Sequence, residues 1–126
     1  MAGNLTNYLE NKLLDHFLGT TTYTRPTVYV GLFTVAPNDA GGGTEVTGGS
    51  YARQTAAFDA AASGATQNTS NIDFTGMPAA TTVAIALFDA LTSGNMLVYG
   101  TLTTNKTTDA GDTLRIATGD LDISID

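Results

Sequence analysis

Leu5, Tyr8, Leu9, Leu13 and Phe17 recur at three- and four-residue steps near the start of the chain, and Leu14 and Leu18 widen the stripe. That spacing predicts an amphipathic helix over about residues 4–18. Asn7 and Glu10 stand at capping-box spacing, Asn4 is an earlier cap candidate, and Gly19 offers a stop. The width of the stripe leads us to expect a helix packed over one open face of the domain.

Beyond Gly19 the period changes from three or four to two. The segment 27–35, TVYVGLFTV, is apolar on both alternating faces, as in a strand buried on both sides, with Pro26 before it and Pro37 after it. Further strands are expected over 50–58, 68–74, 81–89, 96–103, 112–118 and 120–125. The stretches between them, such as AASGAT, TSGN and TTDAGD, carry turn chemistry. The predicted fold is mainly β: an antiparallel β-sandwich of about seven strands with one N-terminal amphipathic α-helix. It forms a single domain over residues 1–126, with the sandwich over about 23–126.

Composition narrows the chemistry. The 126 residues contain no Cys, so disulfides and thiolate metal sites are excluded, and stability has to come from packing. The formal net charge is −7, and the five cations, Lys12, Arg25, Arg53, Lys106 and Arg115, are spread along the chain. No basic patch addresses nucleic acid or an anionic membrane, and neither is expected as a partner. Charged residues make up only 13% of the chain, about half the usual share, and Thr, Ala and Gly take their place. Such a surface suits burial between neighbouring molecules. The start of the chain lacks a cationic region followed by an apolar run, so the sequence reads as soluble and unexported, made in a host cytoplasm.

The segment 40–53, AGGGTEVTGGSYAR, places five glycines within ten positions. A phosphate-binding loop needs Lys and Ser/Thr after its glycines at a helix start, whereas Glu45 follows here. The dinucleotide pattern fails too, because Val46 stands where its third glycine belongs and a strand follows. We expect a partner-contact loop formed by Gly41, Gly42, Gly43, Thr44, Glu45, Val46, Thr47, Gly48 and Gly49. Glu45 and Val46 would be its contacting side chains, Arg53 would tether its base to an acid, and the fold itself would not need the loop.

No catalytic, cofactor or metal site is expected. His16 is the only histidine and lies in the last helical turn, where the helix dipole favours positive charge. Asp120, Asp122 and Asp126 share one face of a strand whose other face is Leu121, Ile123 and Ile125, which describes a half-buried strand with a solvated side. Asp109 and Asp112 flank Gly111 in a turn, and calcium-loop spacing is absent.

The segments LTNYLENKLLDHFLG, VYVGLFTVAPNDAGGGTEVTGGSYARQTAAF and ALFDALTSGNMLVYGTLTTNKTTDAGDTLRIATGDLDISID together resemble a family of small tailed-bacteriophage virion proteins labelled tail-fibre proteins. Members of similar families also serve as capsid cement. The resemblance implies a non-enzymatic structural role in the virion, and the low-charge, Thr/Ala/Gly-rich surface favours the capsid surface over the tail. On that reading the chain is a cement or decoration subunit, a homo-oligomer and specifically a homotrimer, whose partner is the major capsid protein. The alternative is a tail-fibre or tail-tip component, with other tail proteins as partners and a part in host attachment. A glycan hydrolase using an Asp pair is a third reading, and it requires a cleft that the sequence does not single out.

Overall fold

The computed structural model describes residues 4–125, and its frame grows from the most apolar part of the chain. Strand β2 (Tyr29–Val35) runs antiparallel to β7 (Ala80–Phe88), from Tyr29 opposite Phe88 to Phe33 opposite Ala84. β7 pairs in turn with β8 (Met96–Thr108), placing Ala86 opposite Tyr99 and Leu87 opposite Val98. Short strands complete this six-stranded antiparallel sheet. β1 (Asn4–Leu5) lies beside β8, while β3 (Thr44–Glu45) and β4 (Gln54–Thr55) lie at two places along the other side of β2. Two smaller antiparallel sheets pair β5 (Ala65–Gln67) with β10 (Asp122–Ser124) and β6 (Ile72–Met77) with β9 (Asp112–Ile116).

Strand alternation gives the large sheet two apolar faces. Val30, Leu32, Ile85, Leu87 and Val98 point inward and form one core with Ile72, Phe74, Met77, Leu114, Ile116, Leu121 and Ile123 of the smaller sheets and their connections. On the outer face Phe33, Ala84, Ala86 and Phe88 form a second buried cluster. The fold is therefore mainly β, antiparallel and sandwich-like, with one helix near the N-terminus, and β2 is buried on both faces as its sequence requires.

Four elements depart from the sequence reading. Helix α1 spans Asn7–Phe17, capped by Thr6 in place of Asn4 or Asn7: the Thr6 hydroxyl accepts from the Leu9 amide and donates to the Met96 carbonyl. Asn4 and Leu5 are drawn into the sheet instead. No residue of α1 is buried, because only its first turns touch the body: Tyr8 and Leu9 reach the core, whereas Leu14, Phe17 and Leu18 are 49%, 67% and 69% exposed. Gly19 ends the helix as expected, in the left-handed region with φ +97°.

The segment 50–58 keeps only β4 as ladder, since bonds outside a regular ladder flank it: the Leu32 amide donates to the Tyr51 hydroxyl, and the Ser50 amide donates to the Gly76 carbonyl. The segment 68–74 breaks around Asn68, which is 1% exposed; its amide nitrogen donates to the Ser70 and Ala117 carbonyls, and its side-chain oxygen accepts from the Leu121 amide. β8 runs on to Thr108 because residues 102–105 bulge opposite Val83 alone before pairing with β7 resumes at Lys106.

Candidate functional site

The glycine-rich segment forms a flap over the outer face of the large sheet. Leaving β2 after Val35, the chain crosses β7 to reach β8 and the helix, where the Asp39 carbonyl accepts from the Asn7 amide at 2.9 Å and the Asp39 carboxylate from the Tyr99 hydroxyl. That hydrogen bond, with burial and the nearby carboxylates of Asp39 and Glu10, holds the Tyr99 phenol protonated above its usual range. A tight turn closes the tip. Asn38 and Gly41 exchange backbone hydrogen bonds, and the Asn38 side chain accepts from the Ala40 amide. The chain then returns to β3 beside β2.

Arg53 fixes the base of the flap. Its Nε and Nη2 donate to the two carboxylate oxygens of Glu45 at 3.0 and 2.9 Å. Its Nη1 donates to the Ala90 and Ser93 carbonyls at 2.9 and 2.8 Å, and the guanidinium lies 3.5 Å from the centre of the Phe88 ring. Tyr51 adds a third donor to Glu45 at 2.7 Å. Burial, and the carboxylate it binds, push the Tyr51 phenol well above its usual pKa. The arginine side chain is only 8% exposed and its fork is occupied, so Arg53 tethers the loop to an acid as the sequence reading expected, and also to the turn before β8.

The other loop residues divide into foundation and surface. Val46 is 3% exposed, belongs to the core and donates its amide to the Leu32 carbonyl. Val46 and the clamped Glu45 are thus not the free contacting side chains expected from their glycine surroundings. Two glycines also serve the fold. A Cβ at Gly43 would lie 2.6 Å from the Val35 carbonyl oxygen, and one at Gly49 would lie 2.5 Å from that of Gly76, both with positive φ. The loop is therefore built into the domain, contrary to the expectation that the fold can do without it. Gly42, Thr44, Thr47 and Gly48 are exposed, and Gly41 is partly so.

Beneath the flap lies a cavity of about 510 Å³. Its floor is Phe33, Phe88 and Met96, with the two phenyl rings 6.0 Å apart and 9° from parallel; its walls are the flap, Asn95 and the first turn of α1. The sequence reading did not identify Tyr51, Asp39 and Tyr99, which lie in three separate segments. The one local signal was Gly31, a glycine inside an apolar strand, which marks close approach. A Cβ there would lie 2.9 Å from a Glu45 carboxylate oxygen.

The remaining polar residues fall in ordinary structural roles. His16 Nδ1 accepts from the Tyr23 amide. Asp112 accepts from the Asp109 amide in the turn at Gly111, Asp120 and Asp122 are exposed, and Asp126 lies outside the described residues. Among the described residues no group of three or more His, Cys, Asp or Glu is placed to hold a metal ion, and no helix is long and apolar enough to cross a membrane.

No curated protein matches the chain. A family of phage virion structural proteins of the tail-fibre type does, over residues 4–124, taking in the helix, the flap and every strand. The chain belongs to the family described as Podophage GP4 fiber I protein gp80.

Proposed function

We propose that this protein is a non-enzymatic structural subunit of a podophage particle, held in a fibre-type assembly by contacts with other virion proteins. The family match across residues 4–124 carries the reading. The chemistry of the flap supports it, since the most buried cation is consumed by Glu45, two carbonyls and an aromatic ring. What the flap offers a neighbour is backbone and small side chains at Gly41, Gly42, Thr47 and Gly48, resting on a base fixed by Arg53.

A second placement, as a trimeric cement or decoration subunit bound to the major capsid protein, draws on the surface composition. Only 13% of residues are charged, which suits repeated burial on a shell. Gold labelling of intact particles, with copy number by quantitative mass spectrometry, separates the two. A few to dozens of copies at the tail support the fibre reading, and label over the whole head with hundreds of copies supports the cement reading. Absence from purified particles sinks both.

A further inference from the structure

A second cleft, of about 370 Å³, lies between the large sheet and β9 and shares no lining residue with the recess under the flap. The bulge of β8 opens it. Ala84 faces Thr101 and Thr82 faces Lys106, so residues 102–105 bulge away from β7 beside Thr82. Thr82 forms the inner wall with Leu32 and Ile85, and the exposed Lys106, Arg115, Asp120 and Asp122 form the mouth. Thr82 is the anomaly. Of the four buried polar residues among those described, Thr6, Asn68 and Thr108 each hydrogen-bond the backbone, whereas the Thr82 hydroxyl, at 0% exposure, has no partner within the chain. A hydroxyl buried unpaired is unfavourable, and valine would fill the same space without that penalty.

We propose that this cleft binds one neutral sugar ring, with the Thr82 hydroxyl bonding a sugar hydroxyl at the inner wall. Charge selects the class. Lys106 and Arg115 oppose a cation, Asp120 and Asp122 oppose an anion, and the two pairs cancel. A neutral polyhydroxyl compound satisfies both signs, since its hydroxyls donate to carboxylates and accept from cations. Thr103 and Thr104 add hydroxyls to the same lining, and Thr82 itself can give or accept as a sugar hydroxyl does. No aromatic residue lines the cleft, so a nucleobase finds no stacking platform there. The volume stands at the low end of ligand pockets, which suits a single ring and not an oligomer. The mouth is partly preset: Asp73 holds Arg115 by two bonds of 2.7 and 3.0 Å, which reduces the ordering that binding has to supply.

The inference does not rest on the placement in the particle, which labelling decides; binding is read on the purified full-length chain. The isotope-labelled protein is titrated with glucose, galactose, mannose and N-acetylglucosamine, and with the charged analogues glucuronate and glucosamine. At least one neutral sugar should shift the amide signals of Thr82, 102–106 and 114–122, with a Kd of about 1 mM, the weak end of association. Both charged analogues should bind about fivefold more weakly or worse, and Thr82→Val should weaken the neutral sugar about fivefold, the scale of one net hydrogen bond. If Thr82→Val fails to fold, Lys106→Ala and Asp120→Ala at the exposed mouth carry the same test, each with a loss of about fivefold. The proposal is overturned if no neutral sugar moves the cleft signals at about 20 mM, well above that Kd. It is equally overturned by a charged analogue that binds more tightly than every neutral sugar. A folded Thr82→Val, or in its place both mouth variants, binding like wild type does the same. A water signal at Thr82 without any sugar response identifies a hydrated cleft and also overturns it.

Discussion

Replacing Arg53 with alanine should be among the most damaging single changes outside the apolar core. The substitution leaves the Glu45 carboxylate with the Tyr51 hydroxyl alone, removes both donors from the Ala90 and Ser93 carbonyls, and uncovers Phe88. Removing one member of a fully buried ion pair costs about 3–5 kcal/mol. Glu45 is 25% exposed and water in the cavity can reach it, which lowers that part to about 2–3 kcal/mol. Loss of the guanidinium from the ring adds on the order of 1 kcal/mol. The total is about 3–4 kcal/mol. With an unfolding entropy near 2.1 cal/mol/K per residue, a chain of this length should melt about 11–15 °C lower.

The assay is a double-mutant cycle on Glu45→Ala and Arg53→Ala, read by urea and thermal unfolding. A coupling near 2 kcal/mol is expected, because the two groups share one hydrogen-bonded cluster. Arg53→Lys should recover little, since an ammonium cannot span a carboxylate and two carbonyls while stacking on a ring. If Arg53→Ala melts within about 3 °C of wild type, or if the two changes add within about 0.5 kcal/mol, the clamp does not hold the flap.

The other expectations concern the same framework. Gly43→Ala and Gly49→Ala should each cost more than about 2 kcal/mol, because the new Cβ meets backbone at 2.5–2.6 Å. Gly41→Ala, whose Cβ meets nothing within 4 Å, should cost only about 1 kcal/mol of left-handed strain; equal melting of all three would refute the division between foundation and tip. Asn68→Asp should cost several kcal/mol, since it turns a donor to two carbonyls into an acceptor beside them, and unchanged urea unfolding would show that the two connections do not depend on it. For Tyr51 the folded phenol titrates above the unfolded one, so its contribution is complete below about pH 10 and declines as pH rises toward the folded value. Tyr51→Phe should lose about 1–2 kcal/mol at neutral pH with the Leu32 amide unpaired. It should also show a flatter alkaline decline in stability than wild type, and identical slopes would refute the assignment.

Legibility in the sequence followed the range of the interaction. β2 and β7 were readable because their apolar alternation is continuous and burial on two faces leaves little choice of register. Gly19 and the turn at Gly111 were readable because their geometry is local. The break after Gln67 was not, because it depends on Asn68 bonding to Ala117 and Leu121, about 50 residues away. The helix cap moved to Thr6 for the same reason: its hydroxyl also bonds Met96, which no local pattern includes. In the flap, sequence showed that Arg53 would bind an acid, but a run of glycines reads alike whether it frees a loop or allows two backbones to meet. Gly43 and Gly49 do the latter, and only the neighbouring strands show it.

The sheet edges bear on how such a subunit can associate. A virion component accumulates at high local concentration, where an open strand edge invites pairing with any other strand. Between β3 and β4 the edge of β2 would be open at Leu32, but its amide donates to the Tyr51 hydroxyl and its carbonyl accepts from Val46, so both backbone groups are used. On the opposite side β1 covers Val98 and Tyr99, and beyond it the bulge at 102–105 interrupts the straight run of β8. Bulges of this kind spoil the register that an added strand needs. The large sheet thus has one edge sealed at Leu32 and the other bent, and the helix tip is the most apolar exposed cluster among the described residues. The clamp that holds the flap shut over Phe88 and the seal on Leu32 share Tyr51 and Glu45, so the interactions that close the edge also shape the cavity beneath the flap.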